Sequence, residues 1–539
     1  MTERPQPSGV RHLVSGQRAP QIAVVAAIIV GIGLRLRVLP SGGLFQDDAW
    51  VALTGTTSWN QAFKMAGTAP GFVGLLHLWL QPSSSSLWAV LPALVFGVLG
   101  LVSTAFVLRR LSASPWLCAT GVVTIALSPV AVATSGHVKQ YTLDFLIGLW
   151  ITFLAVRARD LTTRALGLLV LASLFGLIFS GSTIVVVAAA WLVLFVDGLR
   201  NRRARGRVLL AACAFGLGFL AVFFALYRSL PVALTRYWAD YLLQPSPVAS
   251  WPSRMSNVLR GITTGFVPTS TSISHEVLFV TGLFGCLVLL GVLAKDPLGG
   301  RAIAVATLLV AFALAALHKV PLGTGRTDMA IYPALLILVL SGLRELNRKL
   351  ATFGASMQRA AQLVSVLIVV VFASTAFTTP HRYLTTPITA ALNTASTCAT
   401  NTKPTLVIDA YTRYPYALTT PRTVTEHFSR QYGAGFTVSV PLAQATILPA
   451  QPYERPYAPK RWANEVADRL AKQPPLHRHV AYVSTPPGGP AEAIKQQQLL
   501  EATTSPSSDP FFAQLLRRNY VVTKQNIVGP LLVTCLQQH

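Results

Sequence analysis

Charged residues are scarce in this sequence. Only 12% of the 539 residues are Asp, Glu, Lys or Arg, whereas an ordinary soluble domain carries about 25%. Hydrophobic residues make up 52% of the chain, and the mean hydropathy is +0.52. The shortage of charge excludes a soluble globular, a disordered and a fibrous protein. The composition predicts a polytopic α-helical membrane protein.

Acidic residues are the scarcest charged class. The chain has 19 Asp and Glu against 44 Lys and Arg, which gives a formal net charge of +25. In a soluble protein this excess would suggest a nucleic-acid partner, but membrane proteins accumulate Lys and Arg in their cytoplasmic loops for topological reasons. We therefore expect the lipid bilayer, and no nucleic acid, to be the partner of these charges.

Long hydrophobic runs are the dominant pattern of the first 379 residues. A membrane-spanning helix needs about 20 mainly apolar residues. The hydropathy predicts about 11 such helices, at residues 20–36, 86–108, 115–135, 141–156, 165–179, 181–196, 208–227, 277–294, 302–317, 329–343 and 361–378. A further apolar stretch, residues 71–80, is too short to span and is expected at the membrane interface.

The charges of the loops predict the orientation of these helices. Up to residue 379, the N-terminus and the loops on its side carry 19 Lys and Arg and 5 Asp and Glu, whereas the other face carries 10 and 6. Positive residues accumulate on the cytoplasmic side. We therefore expect a multi-pass protein of the plasma (inner) membrane, with a cytoplasmic N-terminus and residues 380–539 outside.

Residues 380–539 differ in character from the rest of the chain. Strand-like runs at 405–410, 479–484 and 520–536 are separated by helix-like segments at 460–472 and 509–518. This alternation predicts a C-terminal extracytoplasmic α/β domain over residues 380–539, which follows a transmembrane domain over residues 1–379.

Cysteine is rare, with five residues in the chain. Cys398 and Cys535 are the only pair in the predicted outer domain, and they lie near its two ends. In an oxidising compartment they can form a disulfide that closes almost the whole domain. The sequence is equally compatible with two free buried thiols.

Six acidic residues of the predicted membrane domain lie on its outer face, and two of them, Asp47 and Asp48, are adjacent. Neighbouring carboxylates repel each other, which raises the pKa of one and suits it to act as a general base. Such a pair can also bind a divalent metal. Alternatively, either residue can cap a helix that begins near Ala49. The sequence leaves these interpretations open.

A second polar set lies at residues 135–144, at the outer junction of the third and fourth predicted spans. His137, Lys139 and Tyr141 offer hydrogen-bond donors and positive charge that suit a phosphate or a sugar. Asp144 enters the next span, where an ionisable group is costly without a partner. The alternative is structural, with Lys139 reaching the membrane surface and pairing with Asp144.

A third polar set, residues 318–328, forms the outer loop between the ninth and tenth predicted spans. Gly323 and Gly325 leave backbone amides free to approach an anion, and Arg326 can bind an anion through two hydrogen bonds. The spacing of a phosphate-binding P-loop is absent. The alternative is a flexible turn that carries Lys and Arg as membrane anchors.

The long outer loop 228–276 adds aromatic residues beside charged ones. Tyr237, Trp238 and Asp240 are candidate substrate-binding residues, because aromatic rings stack on sugars. The simpler interpretation places the aromatic residues in the belt that such side chains form at the membrane surface.

These sets together resemble the polytopic glycosyltransferases of the GT-C fold. Within that superfamily the chain is similar to the bacterial relatives of the protein O-mannosyltransferases and lipid A aminoarabinose transferases. The matching pieces are the Asp-Asp pair at 47–48, the Ser-x-x-x-Lys-x-Tyr-x-x-Asp stretch at 135–144 and the Pro-Leu-Gly-x-Gly-Arg stretch at 321–326. The similarity of architecture covers residues 20–380.

The resemblance implies a GT-C-like catalytic domain and a sugar donor linked to polyprenyl phosphate. The sugar, mannose or a pentose such as arabinose, would move with inversion to a cell-envelope glycan, lipoglycan or protein. A divalent metal is an open question, since part of the superfamily uses one.

The resemblance also implies roles for individual residues. Asp47 would be the catalytic base, and Asp48 would orient the acceptor or tune Asp47. The donor phosphate would bind to Lys139 and Arg326, assisted by His137 or Tyr141, because fixed cations stabilise developing negative charge. Asp144 is a further candidate for binding substrate.

Two other functions fit the same composition. A transporter or flippase of a lipid-linked sugar would line its path with charged groups, although transporters usually place them near the midplane and show paired repeats. A catalytically silent partner in the assembly of the cell envelope is the third hypothesis.

Overall fold

The structure is a computed structural model. It describes residues 9–227 except 41, 57–58, 60–67 and 112, then residues 242–243, 251–266, 275–295, 299–352 and 386–399, and in the C-terminal part residues 404–408, 412, 415–416, 418, 424–429, 433–438, 445–447, 479–484 and 515–538. The predicted span at 361–378, the helix-like segment at 460–472 and most of the one at 509–518 lie outside the described residues.

Most of the described part of the first 352 residues is helical. The helices are α1 (Gly9–Arg37), α2 (Gln46–Thr56), α3 (Pro70–Trp79), α4 (Ser86–Arg110), α5 (Pro115–Leu127), α6 (Pro129–Ala133), α7 (Tyr141–Ala158), α8 (Thr163–Phe179), α9 (Ile184–Arg200), α10 (Arg205–Val222), α11 (Trp251–Phe266), α12 (His275–Leu293), α13 (Arg301–Ala316) and α14 (Tyr332–Ala351). Short 3-10 turns precede α7, α9 and α14, and a π-helical turn follows α10.

Several of the described helices are long and apolar enough to cross a membrane. Six pass this test within the described residues, and the bent pair of α5 and α6 brings the number to seven if it counts as one span. Three shorter apolar helices, Thr163–Phe179, Gly282–Leu293 and Arg301–Ala316, coincide with predicted spans. The chain is thus a polytopic helical membrane protein, and the total of about 11 spans stays a prediction.

The third predicted span is interrupted. Sequence patterning predicts one helix over 115–135, but α5 ends at Leu127 and α6 begins at Pro129 with a bend of 58° between the two axes. Pro129 has no N–H, so it cannot bond the carbonyl of Ile125 four residues earlier. The bend directs the chain into the turn at residues 134–140.

The side chain of Arg35 occupies this break. It is only 1% exposed, and its guanidinium donates to the carbonyls of Ile125 at 3.2 Å, Ala126 at 3.3 Å and Gly31 at 2.9 Å. A buried charge in a membrane protein needs such partners. Arg35 therefore satisfies the carbonyl that Pro129 leaves without its helical donor.

The apolar stretch at 71–80 forms α3, which is too short to span. One face of α3 packs against the bundle, because Phe72, Val73 and Leu76 are buried. Its end is tied to the start of α4 by two stacked indoles. The ring nitrogen of Trp79 donates to the carbonyl of Trp88 at 2.8 Å, and that of Trp88 donates back to Trp79 at 2.7 Å.

The C-terminal part contains a mixed five-stranded sheet, β4-β1-β5-β7-β6, built from β1 (Thr405–Ile408), β4 (Ala445–Ile447), β5 (His479–Ser484), β6 (Tyr520–Val528) and β7 (Leu531–Gln538). A separate antiparallel pair consists of β2 (Val424–Ser429) and β3 (Gly433–Val438). The predicted strand over 520–536 is wrong as a single strand, because the chain turns at Gly529, where φ is +60°, and returns as β7.

Helix α15 (Ile388–Ser396) packs on this sheet, and a disulfide between Cys398 and Cys535 links the end of the helix to β7. The sequence was compatible with a disulfide or with two free thiols, and the structure contains the disulfide. The amide of Thr386 donates to the carbonyl of Gly43 at 3.3 Å, which places the start of the C-terminal part beside the segment that leads into α2.

Replacing Arg35 by leucine should destabilise the bundle. The variant loses three charge-assisted hydrogen bonds and leaves buried carbonyls without these donors, so we expect the free energy of unfolding to fall by about 3 kcal/mol. Thermal unfolding in detergent measures the change. Arg37→Leu is the matched control, because Arg37 is exposed on the same helix. Equal melting temperatures of the two variants would contradict the role of Arg35.

Candidate functional site

The acidic pair lies in the first turn of α2. The amide of Ala49 donates to the carbonyl of Phe45 at 2.8 Å, so Asp47 and Asp48 are already inside the helix and neither caps it. Successive residues of an α-helix point about 100° apart. The two carboxylates therefore diverge toward different partners. The interpretation of either residue as a helix cap is wrong, because both lie inside the helix.

Asp48 is completely buried and holds the turn that precedes α7. One carboxylate oxygen contacts Nδ1 of His137 at 2.8 Å, and the other accepts a hydrogen bond from the amide of Val138 at 2.8 Å. These partners lie about 90 residues away in the chain. Asp48 thus fixes the position of the turn relative to α2.

Asp47 contacts two cations. Its Oδ1 accepts a hydrogen bond from Nζ of Lys139 at 2.9 Å, and its Oδ2 lies 3.6 Å from Nη1 of Arg326. The ammonium of Lys139 also lies 5.3 Å from the ring centroid of Trp50, one helical turn after Asp47. The side chain of Lys139 is 5% exposed, whereas those of Asp47 and Arg326 are 36% and 39% exposed.

These cations control the ionisation of Asp47. Burial by itself raises the pKa of Asp47, but the charge and hydrogen bond of Lys139 and the charge of Arg326 outweigh burial, so the pKa lies below its usual value of 3.8. Asp47 is therefore not the member of the pair whose pKa is raised. Mutual repulsion within the pair is weaker than attraction to the cations.

His137 shows the opposite shift. Burial by itself lowers its pKa, but the adjacent carboxylate of Asp48, and to a smaller extent that of Asp47, raise the pKa above the usual 6.5. The imidazole therefore keeps its proton to a higher pH than an ordinary histidine does. In its protonated form the imidazole adds a positive charge beside Lys139 and Arg326.

The loop at 318–328 is organised by Asp328. Its carboxylate accepts hydrogen bonds from the amides of Gly323 at 3.0 Å and Gly325 at 2.8 Å. The prediction that these two amides are free for an anion is thus wrong, because a carboxylate of the chain occupies them. The hydroxyl of Thr324 accepts from the amide of Arg326 at 3.1 Å, which fixes the residue that reaches Asp47.

Helix α11 supports this loop from the other side, a contact that the sequence analysis missed. Gly261 packs directly on the carbonyl of Gly323, and a Cβ at position 261 would overlap that oxygen. Gly323 itself has φ +81°. It lies so close to Val258 that a Cβ on residue 323 would be 2.6 Å from the Cα of Val258. The amphipathic pattern of residues 251–266 within the predicted long loop was the signal for this helix.

The three predicted polar sets meet at one cavity of about 430 Å³. Its walls are formed by Phe45, Asp47, Val130, Ala133, Thr134, His137, Lys139, Tyr141, Gly261, Gly323, Thr324, Gly325 and Arg326. A carboxylate and three basic side chains share this space. The arrangement suits a substrate that carries a negative charge close to a group that must lose a proton.

Asp144 takes a different position from the other predicted site residues. It is 1% exposed and does not line the cavity; its neighbours are the hydroxyls of Ser180 and Ser182 at the junction of α8 and α9. Lys139 pairs with Asp47, which replaces the alternative pairing of Lys139 with Asp144. The other candidates, Tyr237, Trp238 and Asp240, lie outside the described residues.

The side chains suit a metal less well than an anion. Within the described residues, no group of three or more His, Cys, Asp or Glu side chains is close enough to bind one ion. Asp47 and Asp48 also direct their oxygens to different partners. We therefore assign no step of the chemistry to a metal.

The protonation of His137 should appear in the pH dependence of stability. Because its pKa in the folded state is raised, the stabilisation is complete below about pH 6.5 and is lost as the pH rises through the folded-state pKa. We expect the melting temperature of the wild type to fall toward alkaline pH more steeply than that of His137→Asn. Parallel curves for the two proteins would contradict a protonated His137.

Gly261→Ala should disturb the loop that carries Arg326. The added methyl group overlaps the carbonyl of Gly323, so we expect a loss of about 1–3 kcal/mol in the free energy of unfolding. Gly285→Ala is the matched control, because a Cβ there meets no atom within 4 Å. A Gly261 variant as stable as the Gly285 variant would contradict the contact.

The solved structures that are similar to this chain include two crystal structures of ArnT from Cupriavidus metallidurans, an aminoarabinose transferase. The apo state has a TM-score of 0.49 and 13% identity, and the match covers 98% of each chain. The state bound to undecaprenyl phosphate has a TM-score of 0.46 and 13% identity, with 95% of this chain and 97% of that chain covered.

No protein-family model and no curated protein sequence matches the chain. The predicted resemblance to the aminoarabinose transferase branch is confirmed as a similarity to ArnT. Because the identity is low and both TM-scores are below 0.5, the chemistry of this chain has to be argued from its own side chains.

Proposed function

We propose that the chain is an inverting membrane glycosyltransferase that takes a sugar from a polyprenyl-phosphate donor and transfers it to an acceptor hydroxyl. The observation that carries the proposal is the single carboxylate of Asp47 in contact with Lys139 and Arg326 at the wall of one cavity. A base beside cations is what transfer from a phosphate leaving group requires.

The chemistry assigns each group a task. Asp47 takes the proton of the acceptor hydroxyl while the acceptor oxygen attacks the anomeric carbon of the sugar from the face opposite the phosphate. The bond between that carbon and the phosphate oxygen breaks, and the phosphate leaves with an additional negative charge. Lys139, Arg326 and protonated His137 stabilise this charge because they are already in place before the reaction.

Asp48 acts through its neighbours. It is fully buried, so it does not contact the substrate, and its carboxylate holds His137 and the amide of Val138. We assign it a positioning role that keeps Lys139, the next residue, opposite Asp47. This replaces orientation of the acceptor, the other role that the family resemblance implied for Asp48.

The membrane bundle suits a lipid-linked donor. A polyprenyl tail remains among the spans while its phosphate reaches a polar cavity at the end of the bundle. The excess of Lys and Arg in the loops of the other face favours an extracytoplasmic position for this cavity, on the side that we propose for residues 380–539. Mannose or a pentose such as arabinose is the proposed sugar, and an envelope glycan, lipoglycan or protein is the proposed acceptor.

Asp47→Asn should lower transfer by about 10²–10⁴-fold, the usual contribution of a general base. The assay uses purified protein in proteoliposomes, polyprenyl-phosphate mannose or arabinose as the donor, and a cell-envelope extract as the acceptor. Loss of sugar from the lipid and its appearance on the acceptor are both measured. Asp197→Asn is the matched control, because Asp197 pairs with Arg159 at the C-terminal end of α7, whereas the cavity lies at the start of that helix.

Two results would count against this function. Full transfer by the Asp47 variant would overturn the assignment of the base. Movement of the intact lipid-linked sugar across the vesicle membrane, with no transfer of sugar from any donor to the acceptor, would favour the hypothesis of a transporter.

A further inference from the structure

The proposed base and the proposed phosphate site share the same two cations. Both oxygens of Asp47 are engaged, one by Lys139 and the other by Arg326. A phosphate that binds to these cations must therefore displace the carboxylate or share the cations with it. Opposite charges at such distances attract strongly where water is partly excluded, so this exchange has a measurable effect on binding.

We infer that the phosphate of the ligand and the carboxylate of Asp47 compete for Lys139 and Arg326, so that phosphate binding strengthens the affinity of Asp47 for the proton that it takes from the acceptor during transfer. The inference rests on the proposed function for the identity of the anion. It goes beyond that function because it predicts that removal of the base strengthens the binding of the phosphate of the donor.

The charges balance at each stage of the proposed reaction. Asp47, Lys139 and Arg326 together carry one positive charge, which the single negative charge of a sugar phosphodiester neutralises. During transfer the acceptor proton moves to Asp47, and the polyprenyl phosphate leaves as a dianion. The two cations then face two negative charges on the phosphate and none on Asp47. The site stays neutral because the cations exchange one anionic partner for another.

Trp50 suits such an exchange. Its ring lies 5.3 Å from the ammonium of Lys139, and an aromatic face attracts a cation without neutralising its charge. The ammonium therefore keeps one favourable contact when it leaves the carboxylate. The hydroxyl of Thr324 accepts a hydrogen bond from the amide of Arg326. This bond keeps the backbone of Arg326 in place when its guanidinium changes partners.

Other ionisable groups also face Asp47, and the test must separate their effects. His137 approaches from the turn before α7 and Tyr141 from the start of α7, whereas Asp48 acts through its contact with His137. His137 is paired with Asp48 at 2.8 Å. A variant of Asp47 leaves these three groups intact, so any pH dependence that they cause persists in the variant and can be subtracted.

The test measures binding of the methyl ester of a short-chain polyprenyl phosphate by calorimetry in detergent. This probe keeps a single negative charge, because the ester lacks the second phosphate ionisation with its pKa of about 6. At neutral pH we expect Asp47→Asn to bind the ester about tenfold more tightly than the wild type, which corresponds to about 1.4 kcal/mol. On acidification the wild type should gain affinity more steeply than the variant.

Matched variants define the specificity of this effect. Asp197→Asn should bind the ester as the wild type does, because Asp197 pairs with Arg159 at the C-terminal end of α7, away from the cavity. Lys139→Met should bind the ester at least tenfold more weakly, whereas Lys319→Met, which removes an exposed lysine of the neighbouring loop, should not. Equal or weaker binding by Asp47→Asn, with the pH slope of the wild type, would overturn the inference.

A second measurement needs only the wild type. Titrations in two buffers with different ionisation enthalpies report the protons taken up on binding, and we expect net uptake in mildly acidic buffer. No uptake would contradict the coupling even if Asp47→Asn failed to fold. Failure of transfer with intact competition would refute the function and leave the inference standing. Active transfer without competition would support the function and refute the inference.

Discussion

The buried carboxylate of Asp48 joins α2 to the turn that precedes α7, and the geometry of the site follows from this contact. It accepts a hydrogen bond from the amide of Val138 and contacts the ring of His137. Breaking such a buried pair leaves an uncompensated charge, which is strongly unfavourable. Asp47 precedes Asp48, and Lys139 follows Val138, so the same tie brings the base and its cation together.

Two features of the bundle bring the turn to this place. Pro129 ends the helical hydrogen bonding of α5, and Arg35 from α1 binds the carbonyls that the break exposes. The chain then bends by 58° and enters the turn at the wall of the cavity. Arg35 is a costly group to bury, so its position marks a break that the bundle needs for its shape.

Local sequence predicted most of the described membrane helices and the charged residues of the cavity. Apolar runs located the described membrane helices because a span is a continuous hydrophobic segment. Asp47, Lys139 and Arg326 stood out because charges are rare here, and all three line one cavity. The interruption at Pro129 was missed because the apolar run continues on both sides of it, although a proline inside a helical pattern is a signal for a helix break. The hairpin of β6 and β7 was missed although Gly529 and Pro530, between the two strands, are a turn signal.

The sequence alone determined the membrane character, the approximate helices and the short set of charged candidates, since these depend on composition and local pattern. Tertiary structure decided which charges become partners. It paired Lys139 with Asp47 and placed Asp144 beside Ser180 and Ser182. It also occupied the amides of Gly323 and Gly325 with Asp328. The reason is physical: an ion pair depends on distances of a few ångströms between segments far apart in the chain, and helix packing sets those distances.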